Sequence, residues 1–116
     1  MEFFEAPAFT RELYRYLSED SFAELEILLT SHPEVGDIMP GTGGFRKIRW
    51  IDKRRGKGRR GGIRVIYYLF SIDDRIWLFS IFDKNEMTDL SPREKKQLKY
   101  AVELEISARR NRRAKQ

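Results

Sequence analysis

Between residues 63 and 71 apolar side chains occupy both parities of the chain. Ile63, Val65, Tyr67 and Leu69 fall on one side; Ile66, Tyr68 and Phe70 join Arg64 on the other. Alternation with a period of two predicts a strand, and apolar residues on both faces predict one buried centrally in a sheet. Asp73 and Asp74 supply a tight turn, and residues 75–82 follow as the antiparallel partner. Residues 45–51 predict a third strand, in which Arg46 shares a face with Ile48 and Trp50 while Lys47 and Arg49 take the other. Residues 2–9 predict a short edge strand limited by Pro7.

Elsewhere the spacing is helical. Thr10 can cap a helix that carries Leu13, Tyr16 and Leu17 on one face. Ser21 and Glu24 have the spacing of a capping box and predict the start of a second helix, with Phe22, Leu25, Leu28 and Leu29 turned inward. His32 and Pro33 close it, His32 as a C-terminal cap residue. Ser91 and Glu94 form a second capping box with Pro92 at the first helical position, for a helix running to about residue 107. Residues 36–44 predict a loop, and Gly41-Thr42-Gly43-Gly44 lacks the spacing of a phosphate-binding fingerprint, which favours a plain turn. The order is β-α-α-β-β-β-α. It implies an α+β fold: a small antiparallel sheet with an N-terminal helical hairpin, a C-terminal helix, and the helices on one face. Residues 1–107 make a single domain, and residues 108–116 a basic, frayed tail.

Composition narrows the chemistry. A chain of 116 residues supports one domain with one modest core. It has no cysteine, so disulfides and thiolate metal sites are excluded. No apolar run approaches the roughly 18 residues of a membrane span. Met1-Glu2-Phe3-Phe4-Glu5 does not resemble a signal peptide, so a cytoplasmic location without membrane contact is expected.

Charge is distributed unevenly. Residues 1–37 hold nine acidic and two basic side chains, whereas residues 38–64 hold ten basic and one acidic. Five more cations lie between Arg109 and Gln116. Such asymmetry predicts a basic face aimed at a polyanion rather than a merely solvated loop. The glycines at 56, 58, 61 and 62, interleaved with Lys53, Arg54, Arg55, Lys57, Arg59 and Arg60, cannot build a core but can drape over a ligand.

With His32 the only histidine and no cysteine, there is no imidazole base for a serine or cysteine triad. Asp83, Glu86 and Asp89 precede a helix N-terminus, which favours capping and dipole roles over a metal cluster. No metal or other cofactor is expected. What remains is Arg64 on an apolar strand. A charge there costs desolvation unless something pairs with it: an acidic core partner, or a phosphate brought by substrate. Lys84 ending the neighbouring strand and the cationic loop preceding Arg64 favour the phosphate. Converging cations can stabilise a phosphorane-like transition state, and a lysine depressed by positive neighbours can act as a base.

Gly62-Ile63-Arg64-Val65-Ile66-Tyr67, together with Phe82-Asp83-Lys84-Asn85-Glu86 leading to Leu90-Ser91, resembles the RelE/ParE superfamily of toxin–antitoxin toxins, in particular its HigB-like branch. The resemblance covers roughly residues 2–107. It implies a ribosome-dependent endoribonuclease that cuts mRNA, and a cognate antitoxin that neutralises it; with no convincing metal-ligand cluster in the sequence, cleavage is expected to be metal-independent. It also places the catalytic arginine at Arg64, the loop cations at Arg55 and Lys57, and the basic residue after the last strand at Lys84. Arg46, Lys47, Arg49, Arg54, Arg59 and Arg60 would then hold the backbone of mRNA and ribosomal RNA. The pattern departs in one place: some members carry a base-stacking tyrosine just beyond Lys84, where this chain has Met87-Thr88-Asp89-Leu90. Tyr68 is either a substitute or a core tyrosine. Within the same superfamily the alternative is a ParE-like inhibitor of DNA gyrase without nuclease activity; outside it, an inactive nucleic-acid-binding module.

Overall fold

The computed structural model of the chain describes residues 1–51, 62–86 and 90–114. In chain order these form β1 (Glu2–Glu5), α1 (Pro7–Tyr16), α2 (Glu19–Ser31), β2 (Asp37–Ile38), β3 (Arg46–Trp50), β4 (Ile63–Phe70), β5 (Arg75–Asp83) and α3 (Pro92–Ala114). One five-stranded sheet has the order β1-β5-β4-β3-β2. The expected α+β fold is present, with β4 central and antiparallel to both β3 and β5.

The sheet itself differs from the expectation in several places. The sheet is mixed, because β1 pairs with β5 in parallel. Strands joined by a tight turn must be antiparallel, but β1 reaches β5 only after most of the chain has intervened, so no turn dictates its direction. Pro7 does not end a strand; it stands in the first turn of α1, where its missing N–H is an orphan in any case. Part of the expected loop at 36–44 is the short edge strand β2, while its glycine stretch is the tight turn. There Thr42 is buried, its hydroxyl donating to the Met39 carbonyl at 2.7 Å and accepting from the Phe45 N–H at 3.1 Å.

The helices lie on both faces of the sheet, not on one. Phe9, Leu13, Leu17, Leu25 and Leu29 of the hairpin segment pack on Ile48, Val65, Tyr67 and Leu78. Val102, Leu98 and Ile106 of α3 pack on Phe45, Ile66 and Phe70 on the opposite side. Both parities of β4 are apolar, so either face left bare would expose large side chains to water.

Polar contacts fix the layers. Ser18, not Ser21, caps α2 by accepting from the Ser21 N–H at 3.1 Å. That leaves the Ser21 hydroxyl to accept from the Trp50 indole at 2.9 Å, which ties α2 to β3. His32 closes α2 as its C-cap residue. Tyr67 is fully buried, and its hydroxyl donates to the Pro33 carbonyl at 2.9 Å and accepts from the Gly36 N–H at 2.8 Å. A Cβ at Gly36 would stand 2.8 Å from the Tyr67 ring, so no other residue fits there without a shift. At α3 the second capping box forms as expected: Glu94 N–H donates to Ser91 Oγ at 3.1 Å and Ser91 N–H donates to Glu94 Oε1 at 3.0 Å.

The expected frayed tail is helical to Ala114. Arg109 is the reason. It is 5% exposed, pairs with Asp73 and Glu105, and lies over the rings of Phe4 and Phe70. Arg113 adds a hydrogen bond to the Ile72 carbonyl. The β4–β5 turn thus anchors the far end of α3. Replacing Arg109 with Leu is expected to cost about 2–3 kcal/mol, less than a fully buried pair because Asp73 keeps some solvent. Urea unfolding measures the loss, and an unchanged midpoint would contradict the anchor.

Burial is the first cause that raises Tyr16, Tyr67 and Tyr68 above the ordinary tyrosine value of 10.0. The unfolded chain therefore gives up these protons first as pH rises. Above pH 10 the folded state holds more protons than the unfolded one, so stability falls with further rise and is unaffected by these groups below that value. Denaturant midpoints between neutral pH and pH 11 should show this decline, and Tyr67→Phe should flatten it while lowering the neutral plateau.

Candidate active site

The site is built at the end of the sheet where β4 begins and β5 ends. Arg64 is the second residue of β4, and its Cα partners are Arg49 on β3 and Phe82 on β5. Arg49 and Arg64 stand directly opposite on the face covered by α3. Such neighbours have Cβ atoms about 4.5–5.5 Å apart, and like charges in that relation repel. Arg49 and Arg64 thus bring two cations together at this end of the sheet. Arg64 is half-buried, and one of its guanidinium nitrogens donates to the carbonyl of Ile63 at 3.3 Å.

Lys84 is exposed and stands just past β5. Its backbone N–H donates to the Gly62 carbonyl at 2.9 Å, which holds it against the start of β4. Asp83, 3% exposed, organises the turn that follows. Its carboxylate accepts from the Asn85 N–H at 2.9 Å, and its carbonyl accepts from the Glu86 N–H at 2.9 Å. These bonds close the turn after β5 and do not reach α3, whose N-terminus is capped by Ser91 and Glu94. Among the described residues no group of three His, Asp or Glu side chains could hold a metal ion.

Glu86 does something the sequence reading missed. Its carboxylate accepts from the buried Tyr16 hydroxyl at 2.7 Å and pairs with Arg15 at 3.3 Å. Burial, then this hydrogen bond, raises the Tyr16 hydroxyl above its usual range. The contact spans 70 positions in sequence and clamps the turn carrying Lys84 onto the end of α1. A tyrosine in the last turn of a helix and a glutamate after a strand bear no spacing that announces such a pair.

The remaining predicted residues divide. Lys47 and Arg49 share the Arg64 face. Arg46 does not: it lies with Ile48 and Trp50 on the helical-hairpin side, and its guanidinium donates to the carbonyls of Glu34 at 3.0 Å and Gly36 at 2.8 Å. These bonds hold the chain leading into β2. Tyr68 lies on the Arg64 face, but four residues along a strand is about 13 Å. It is partly buried and packs against Phe45 and Phe70, with ring centroids 5.3 and 4.7 Å away. Arg54, Arg55, Lys57, Arg59 and Arg60 lie outside the described residues, as do Met87 to Asp89.

If the Glu86 clamp positions the turn, Tyr16→Phe and Glu86→Gln should each destabilise the fold by about 1–2 kcal/mol, and the double variant by clearly less than their sum. A double-mutant cycle from urea unfolding gives the coupling; strict additivity would show that the contact contributes nothing.

No family model matches the chain. Among solved structures it is similar to the E. coli toxin RelE, determined in the free state as a mutant with two arginines replaced by alanine. The identity is 15%, the match covers 73% of this chain and 84% of that one, and the TM-score is 0.52. At that identity the likeness concerns architecture, and the architecture of this chain is RelE-like.

Proposed function

We propose that this chain is the toxin of a toxin–antitoxin pair, of the HigB-like kind, and that it cuts mRNA on the ribosome. The observation that carries the reading is the placement of Arg64: a cation on the central strand of a RelE-like sheet, opposite Arg49, with Lys84 fastened beside the start of that strand. A site of this kind attracts a phosphodiester and stabilises charge as it develops on the phosphoryl oxygens.

The chain has no cysteine, and its one histidine caps α2, so the nucleophile is best supplied by the RNA itself. The 2′-hydroxyl attacks the adjacent phosphorus and the bond to the 5′-oxygen breaks. Lys57, with Arg55 as its alternate, takes the 2′ proton; Lys84 gives a proton to the leaving 5′-oxygen. The products are a 2′,3′-cyclic phosphate, which water can then open to a 3′-phosphate, and a 5′-hydroxyl. Intramolecular attack of this sort can gain on the order of 7–11 kcal/mol over recruiting water. Lys47, Arg49, Arg54, Arg59 and Arg60 hold RNA backbone, and a cognate antitoxin silences the toxin by covering or distorting this basic face. The site of action is the cytoplasm.

Arg64→Ala should lower cutting by about 10²–10³ while the protein stays folded. Primer extension on message translated in vitro measures the cuts, and circular dichroism checks the fold. Parental cutting by the folded variant would refute the assignment. Intact message together with blocked DNA supercoiling would point instead to a gyrase inhibitor.

A further inference from the structure

We propose that the cavity between the sheet and the first half of α3 is a nucleobase subsite, serving the nucleotide next to the phosphate held at Arg64. The inference rests on the nuclease reading above. The cavity measures about 380 Å³, within the range of small-molecule sites. Ile66, Phe79 and Phe82 from the sheet, Leu98 and Ala101 from α3, and Lys47 at one side are among its walls.

Three observations connect it to the site. The first is register. Phe82 is the Cα partner of Arg64, Ile66 follows Arg64 by two residues on the same face, and Lys47 is the partner of Ile66. Two residues along a strand is about 6.6 Å, the scale on which a nucleotide's base stands off from its phosphate. The second is a bulge. Ile66 pairs with Ser80 and Tyr67 with Leu78, so Phe79 is an extra residue without a partner across the ladder. It lets both Phe79 and Ser80 line the cavity. Bulges near active sites commonly re-aim a side chain in this way. The third is chemistry. Aromatic and aliphatic walls suit the faces of a base, Ser80, Gln97 and the Glu94 carboxylate offer donors and acceptors to its edge, and Lys47 continues the cationic strip of Arg49 and Arg64 toward the RNA backbone. That cationic continuity favours RNA over an apolar protein segment.

The test fills the space. Ala101→Trp and Gln97→Trp, both at exposed positions of the lining, are each compared with the parent for cutting of ribosome-bound message, read by primer extension over every position. Thermal unfolding is measured beside it. Each folded variant is expected to lose about 10- to 100-fold in cutting, the scale of one base–aromatic stack, and to redistribute its residual cuts among bases. If Ala101→Trp does not fold, Gln97→Trp carries the test alone. A folded variant with the parental rate and the parental distribution overturns the subsite and leaves the nuclease reading standing. So does a variant that keeps its cutting but no longer binds a neutralising protein, which would assign the cavity to that partner. A parent that cuts no message fails the nuclease reading first, before any variant is compared, and the subsite falls with it.

Discussion

Both faces of β4 have to be buried. Ile63, Val65 and Tyr67 on one side and Ile66 and Phe70 on the other are each at most 3% exposed. A strand of this kind can exist only between two strands and two layers of helix. β3 and β5 flank it, α1 and α2 cover one face, and α3 covers the other. The polar contacts of the fold serve the same end: Tyr67 finds its hydrogen bonds on the chain past α2, and Arg109 fastens the far end of α3 to the turn after β4.

The cationic end of the sheet follows from that burial. β4 is paired on both sides, so strand register sets the place of Arg64 near its start relative to Arg49, Phe82 and the Gly62 carbonyl that holds Lys84. The helical hairpin takes part through Tyr16, which grips Glu86 beyond Lys84. Arg49 and Arg64, held opposite on neighbouring strands, bring two like charges together at a cost in repulsion.

Several of these elements could be read from sequence because their signals are local. Alternation along residues 63–70, the Asp-Asp turn, the capping box at Ser91 and the proline after His32 each act over a few residues, and each is present as expected. What escaped reading depends on distance. Arg109 looks like one cation of a frayed tail until Asp73, Phe4 and Phe70 are brought beneath it. Arg46 looks like its basic neighbours until the carbonyls of Glu34 and Gly36 claim it. Pro7 carries both strand-edge and helix-start meanings, and the packing of Phe9 and Leu13 decides between them. The second apolar face of β4 was visible in the alternation, and it called for a helix on each side of the sheet. The places of Arg64 on β4 and of Lys84 just past β5 were legible because strand register sets them, and the apolar pattern determines that register.

The central claim is that this basic end of the sheet breaks RNA by positioning the RNA's own hydroxyl for attack. A message with a single 2′-deoxy nucleotide on the 5′ side of a mapped cut site, translated in the presence of the protein, tests it most directly. The ribosome, the metal ions and every protein contact stay the same. The account predicts loss of cutting at that position alone, with other positions cut as before; undiminished cutting there would contradict it.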